Sequence, residues 1–343
     1  NNIWIFGSWF GERYSDNSRY LFEYVNENHK DIKAIWVTSS WSVIKELRNK
    51  NLECYYKYSF KAIYYAVFAK VSVFVQTNYL NCLMFMNNKN TLLIQLWHGA
   101  PIKKIGNDNK LHSNKDKMSF FKKITFQILN NIFPYIANER YSLFIACSLN
   151  DQQIYQSAFH VENVKITGFP RNDILFNNNS NKEKLQYKKI IYLPTFRGEV
   201  GSQIDLFFKY DFNTNKWIEF LENNNIILYV KMHPFNLPKE ETRNILTKSK
   251  NIIFLENEDV SEFLSSADIL ITDYSSVYLD YLLTGKPLIF TPFDFEEYLR
   301  NDREFYYNYE KITPGPKCMN WNDVLGWVDK YNNSELFSVD RKL

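Results

Sequence analysis

The sequence predicts an α/β protein made of two doubly wound, parallel-stranded domains facing a cleft. Short apolar runs alternate with helical patterns along the whole 343-residue chain. That is the signature of strands covered on both faces by helices. The pattern occurs twice, in halves of similar size. Between them lies the polar run Asn177-Asn178-Asn179-Ser180-Asn181, which cannot bury a core. The length fits roughly two domains.

In the first half, Asn2–Phe6 (NIWIF) reads as a strand and Gly7–Gly11 as a loop. A helix follows near Asn17–Asn28, then a strand at Lys33–Thr38 and a helix near Ser42–Lys50. Val71–Gln76, Thr91–Trp97 and Leu143–Cys147 read as buried strands. A helix near Asp151–Phe159 and a strand at Val164–Thr167 close this half. The second half has strands at Lys189–Leu193, Ile226–Met232, Ile252–Phe254, Ile269–Thr272 and Leu288–Thr291. Its helices fall near Ile218–Asn223, Val260–Ser265, Val277–Leu283 and Trp321–Tyr331. The boundary lies within Phe169–Lys188, giving domains over 1–170 and 171–343. In such sheets ligands sit beyond the carboxyl ends of the strands.

Composition narrows the function classes. A net charge of +3 does not by itself imply nucleic-acid binding. The four cysteines (Cys54, Cys82, Cys147, Cys318) form no CxxC pair, so neither a zinc knuckle nor a disulfide framework is signalled, and a reducing compartment fits best. No apolar run is long enough for a transmembrane helix, and no signal peptide is visible. The chain opens on Asn rather than Met, which points to sequence upstream. The 8 Trp, 24 Tyr and 28 Phe against only 10 Gly are an unusual balance. It fits either AT-biased coding or aromatics set aside for a membrane interface or ligand surface.

The chemistry-bearing residues cluster after predicted strands. His98 follows TLLIQLW, and His233 follows IILYVKM and precedes Pro234. A satisfied strand-end histidine would explain either one alone; matching positions in both halves favour function. His29, His112 and His160 lie in polar contexts that read as surface. In Ile269–Asp280, Ser275 or Ser276 can cap a helix starting at Val277, which Gly285 would end. Hydroxyls at such a turn suit an anion, although plain capping explains them equally well. Arg171, in GFPRND, and Arg197, in YLPTFRG, each follow a strand and could clamp a diphosphate bidentately. There is no GxxxxGK[ST], GxGxxG or HExxH, which weakens kinase, dehydrogenase and zinc-protease readings. No cluster has metal-ligand spacing, and only Asp273 stays open as a metal ligand.

A basic, aromatic segment spans Lys110–Arg140. Lys117, Lys122 and Lys123 flank Phe120, Phe121 and further apolar residues. It is too short and too charged to span a bilayer. It can lie in the interface with lysines on anionic headgroups, or it can be ordinary core-facing helices.

Taken in order, Leu96-Trp97-His98-Gly99-Ala100-Pro101-Ile102-Lys103-Lys104-Ile105-Gly106, the GFPRND stretch, Lys231-Met232-His233-Pro234 and Thr272–Asp280 resemble the CDP-glycerol glycerophosphotransferase family of teichoic-acid and capsule synthesis. Phe6–Gly11, Pro292-Phe293-Asp294 and Thr313–Pro316 extend the resemblance over nearly the whole chain. One departure is Ala100, where many members carry Thr. The resemblance implies a GT-B fold, two Rossmann-like domains with the active site between them. It implies transfer of a polyol phosphate, glycerol phosphate first, from a CDP-activated donor to a hydroxyl of a lipid-linked acceptor, with release of CMP. His98 would be the general base and His233 a donor-phosphate ligand, and Ser275 and Ser276 would hold the diphosphate with Asp273 beside them. Gly99, Arg171, Thr195, Arg197, Pro234 and Asp280 complete the expected substrate-binding set.

On this reading no cofactor is required, the donor is CDP-glycerol or CDP-ribitol, and the need for a divalent metal is open. The partners are the acceptor and an anionic membrane surface, with no nucleic acid. The protein would work peripherally at the cytoplasmic face of a bacterial membrane. Two other readings compete: a GT-B nucleotide-sugar glycosyltransferase, and a non-catalytic scaffold for a nucleotide or anionic polymer. The choice of polyol, the number of units added and the oligomeric state are open.

Overall fold

The computed structural model describes residues 2–76, 86–109, 141–176, 187–198, 203–233, 236, 238–256, 258–301 and 304–333. The membrane residues expected from sequence (Lys117, Phe120, Phe121, Lys122 and Lys123) and Pro234 lie outside the described residues. The chain divides into two compact units: Asn1–Ala100 with Ile105–Asp173, and Pro101–Lys104 with Ile174–Leu343.

In the first unit, seven strands form one parallel sheet. They are β1 (Ile3–Phe6), β2 (Lys33–Thr38), β3 (Cys54–Tyr56), β4 (Val71–Phe74), β5 (Leu92–Gln95), β6 (Leu143–Ala146) and β7 (Val164–Ile166). Their order is β3-β2-β1-β4-β5-β6-β7. The strands read as apolar runs because both faces are buried. On β1 and β2, Ile3, Ile5, Ile35 and Val37 enter one core, and Phe6, Ala34 and Trp36 enter the other. This is the two-residue alternation of a pleated strand. Helices α1 (Asp16–Asn28), α2 (Trp41–Asn49), α3 (Phe60–Phe68) and α4 (Leu149–Phe159) belong to this unit. Ser40, Ser59 and Ser148 begin α2, α3 and α4, each accepting a backbone N–H from the first turn, which satisfies donors that lack an intrahelical partner.

The second unit repeats the plan with five parallel strands in the order β10-β9-β8-β11-β12. These are β8 (Lys188–Leu193), β9 (Ile226–Val230), β10 (Ile252–Phe254), β11 (Ile269–Thr272) and β12 (Leu288–Phe290). Ile190, Tyr192, Ile269 and Ile271 face a core built around Trp217 and Trp321. Ile191, Leu193 and Leu270 face the opposite core, with Tyr274, Tyr278 and Tyr281. Pro101–Lys104 adds to this unit: Lys103 bridges antiparallel to Phe305, Lys104 N–H donates to the Glu304 carbonyl at 2.7 Å, and Ile102 is buried.

The strands expected from sequence appear within a few residues of their expected ends. Elements not foreseen have physical reasons. Strand β3 has three residues at the sheet edge, too few to show a period. Helix α3 (FKAIYYAVF) is apolar and aromatic nearly throughout, so it carries no amphipathic stripe to mark it. The helix at Glu240–Leu246 spans barely two turns.

Candidate active site

In doubly wound sheets, ligands gather beyond the strand carboxyl ends where the strand order reverses. In the first unit that point lies between β1 and β4, and in the second between β8 and β11. The expected site residues fall into these two neighbourhoods, one in each unit.

In the first unit, His98 follows the end of β5. Its Nδ1 lies 2.7 Å from the carbonyl of Val75, the residue after β4. A carbonyl can only accept, so Nδ1 carries a proton, and whenever the ring is neutral its lone pair lies on Nε2. The ring stacks on Trp97 at a centroid distance of 4.3 Å and lies 6.0 Å from Trp9. The Trp9 N–H donates to Gln76 Oε1 at 2.8 Å, which fixes the loop after β1 against the end of β4.

The local backbone is strained. Trp9, Phe10, Asp16 and Trp97 have φ of 46°, 59°, 65° and 52°. They account for four of the eight described non-glycine residues in the left-handed region, and such outliers concentrate at functional sites. Gly99, at φ 136°, takes a conformation that L side chains avoid. Arg171 is turned inward. Its Nη1 lies 2.8 Å from Asp16 Oδ1 and 3.1 Å from the His98 carbonyl. The expected diphosphate clamp is therefore bound to the loop that carries His98.

In the second unit, His233 ends the stretch after β9, with its ring 5.0 Å from Phe196. Asn236 joins this loop to the one after β8. It accepts from Arg197 N–H, and its Nδ2 donates to the Arg197 carbonyl at 2.8 Å. Thr195 N–H donates to both carboxylate oxygens of Asp273, at 2.9 and 3.1 Å. Thr195 Oγ1 is buried with no hydrogen-bond partner among the described residues, a hydroxyl still able to serve a bound group. Ser275 Oγ accepts from Val277 N–H at a long 3.4 Å, and Ser276 makes no side-chain cap to the helix Val277–Leu282. Asp280 is buried in the first turn of that helix.

Arg197 and Asp273, expected from sequence at the diphosphate, are turned toward each other. Asp273 is fully buried and Arg197 is 4 % exposed. Arg197 Nη2 lies 2.7 Å from Asp273 and 2.9 Å from Asp294, Nε pairs with the other Asp294 oxygen, and Nη1 donates to the Thr195 carbonyl at 2.7 Å. A guanidinium held this way braces the strand ends and is not presented as a diphosphate clamp. An Asp273 carboxylate held by Arg197, Thr195 N–H and Tyr274 N–H is likewise a poor candidate for a metal. Among the described residues, no three His, Cys, Asp or Glu side chains gather as metal ligands.

Burial alone would lower the Arg197 pKa, but Asp273 and Asp294 hold it well above its ordinary value. Burial opposes the Asp294 carboxylate, yet hydrogen bonds from Arg197 and Tyr274 and the nearby positive charge keep its pKa below the usual range. Burial first, and then the two carboxylates, push the Tyr274 hydroxyl upward, so it stays a donor to Asp294 at 2.9 Å. The sequence singled out Pro292-Phe293-Asp294 without giving Asp294 a role, read Asn17 only as the start of a helix, and gave Asp16 no reading. Only contacts distant in sequence reveal these partners.

Two Rossmann-type parallel sheets in one chain, each with polar side chains at its switch point, are the building blocks of the GT-B class. Within that class the comparisons are specific. The family model for CDP-glycerol:poly(glycerophosphate) glycerophosphotransferase matches residues 1–341, and the chain belongs to this family, as an enzyme of the glycerophosphotransferase type. It is 32 % identical over 346 residues to the teichoic acid poly(glycerol phosphate) polymerase of Bacillus spizizenii, covering 96 % of this chain and 83 % of that one. It is 29 % identical to the teichoic acid glycerol-phosphate transferase of Staphylococcus aureus, covering 97 % and 85 %. The solved structure of the wall teichoic acid polymerase TagF superposes with a TM-score of 0.70 at 25 % identity, over 96 % of this chain and 81 % of that one.

Proposed function

We propose that this protein transfers a polyol phosphate, with glycerol phosphate the leading candidate, from a CDP-activated donor to a hydroxyl of a lipid-linked acceptor in teichoic-acid or capsule synthesis. His98 Nε2 takes the proton from the acceptor hydroxyl. The resulting oxygen attacks the β-phosphorus of the donor, a new P–O bond forms, and the bond to CMP breaks. CMP leaves with the electron pair. In the second unit, His233, Thr195, Ser275 and Ser276 hold the donor diphosphate as charge builds on the leaving side. The Arg197–Asp273–Asp294 group keeps the strand ends that carry them in place. Family membership supports the choice of donor. The reaction would run at the cytoplasmic membrane face.

The observation that carries this reading is the hydrogen bond from His98 Nδ1 to the Val75 carbonyl. It sets the neutral tautomer with its lone pair on Nε2, which a general base needs.

The test is a donor panel. The purified chain is given an acceptor and radiolabelled CDP-glycerol, CDP-ribitol or a UDP-sugar, and free nucleotide and product mass are measured. CMP released from a CDP-polyol, with acceptor mass rising by polyol-phosphate units, is the expected result. Consumption of the UDP-sugar alone would establish the glycosyltransferase instead. Wild-type turnover by His98→Ala would remove His98 as the base.

A further inference from the structure

The turn that carries His98 is held by side chains from three separate segments. Four successive carbonyls, those of Leu96, Trp97, His98 and Gly99, each accept from a side chain. Asn17 Nδ2 donates to Leu96 at 3.2 Å and to Trp97 at 2.9 Å. Arg171 Nη1 donates to His98 at 3.1 Å, and the Tyr155 hydroxyl donates to Gly99 at 3.1 Å. These three side chains come from the first turn of α1, from the segment after β7 and from α4. Asn17 and Tyr155 are fully buried. Asn17 and Arg171 are also linked, since Asn17 Oδ1 accepts the Arg171 backbone N–H at 3.1 Å and Arg171 pairs with Asp16, the residue before Asn17, at 2.8 Å.

The physical consequence is specific. Each carbonyl fixes the orientation of one peptide plane. Holding the planes on either side of His98 fixes its Cα–Cβ direction, and the Nδ1 bond to Val75 then fixes the ring. Trp97 stays at φ 52° because its surroundings over-determine it. Buried polar side chains whose donors go to the backbone of one turn are an expensive way to fill a core, but an effective way to aim a side chain.

We infer that Asn17, Arg171 and Tyr155 are positioning residues for His98: their donors to carbonyls 96–99 hold the imidazole where it can take the acceptor proton. This deepens the proposed function and rests on its assignment of His98 as base. Arg171 accordingly acts through His98 and not on the donor diphosphate.

The test uses Asn17→Asp, which keeps the shape but removes both donors, and Tyr155→Phe, which removes one oxygen and leaves the ring in the core. Turnover with saturating CDP-glycerol and acceptor is measured alone and on a His98→Ala background. We expect kcat to fall about 10²-fold for Asn17→Asp and about tenfold or less for Tyr155→Phe, with the donor KM unchanged, because a small misplacement of a reacting group has effects of this size. On the His98→Ala background neither change should lower kcat further, since both act through the imidazole. Additive losses, or wild-type kcat in Tyr155→Phe, would overturn the inference. If Asn17→Asp does not fold, Tyr155→Phe carries the test alone.

A second readout is independent of the reaction. In the ¹⁵N-histidine-labelled chain, the signal missing from His98→Ala identifies His98, and its nitrogen shifts report the tautomer. The wild type should show Nδ1–H, and the variants a mixture. An unchanged tautomer in both variants would overturn positioning, even if His98 proved not to be the base. Wild-type turnover by His98→Ala with shifted tautomers would instead remove the base assignment and leave the positioning intact.

Discussion

At the switch point of the first unit, the critical turn is held by donors aimed at backbone carbonyls: the neutral side chains of Asn17 and Tyr155, and Arg171, which also pairs with Asp16. At the switch point of the second, the loops are held by buried charge, with Arg197 between Asp273 and Asp294. On the proposed function, the difference follows from what each place would hold. An imidazole that takes a proton needs a fixed direction, which donors to the backbone on either side of it supply. A site for a diphosphate needs rigid strand ends, and buried ions with all their hydrogen bonds made supply rigidity at the risk of severe loss when one partner goes.

The contrast can be broken first at His98. His98→Ala should lower turnover roughly 10²–10⁴-fold, the range for loss of a general base, while thermal unfolding stays close to wild type; the check is kcat beside a melting curve. Arg197→Met is expected to do the reverse. It leaves two buried carboxylates without their cation, and breaking a buried pair costs about 3–5 kcal/mol of stability; urea unfolding measures this. If it folded as stably as wild type, the bracing role would be wrong.

Acid should act on the second unit first. Asp294 has a depressed folded-state pKa, so its contribution is complete above the unfolded carboxylate value of about 3.9 and is lost as pH falls through the lower folded value. Hydrogen exchange on lowering the pH below about 4 should therefore show the β8–β11 strand ends opening, and Asp294→Asn should abolish that component of the acid dependence. The smallest effect concerns the helix that presents Tyr155. Ser148 accepts the Asp151 N–H at 3.1 Å, and Ser148→Ala should cost about 1 kcal/mol of stability, read from the unfolding midpoint.

Much of this was legible in the chain. Both histidines stand at strand ends, and the motifs around them resemble one family; the family model then matched nearly the full length. The apolar runs located the strands because strands buried on both faces leave a continuous signal. Arg171 and Arg197 were visible as candidates, but their targets were not. An arginine after a strand looks the same in sequence whether it meets a ligand, a carboxylate or a carbonyl. Asn17 lies 81 positions from His98, and nothing local distinguishes it from an ordinary helix-start residue.

The sequence by itself determined the class of fold and the family, because apolar periodicity and ordered motifs are local properties that survive without coordinates. The tertiary structure alone decided which polar groups meet: which nitrogen of His98 bears the proton, what holds its turn, and that Arg197 and Asp273 serve each other. Those outcomes depend on strand order bringing distant loops together, and the hydrogen bonds that result are set by distance and direction in space.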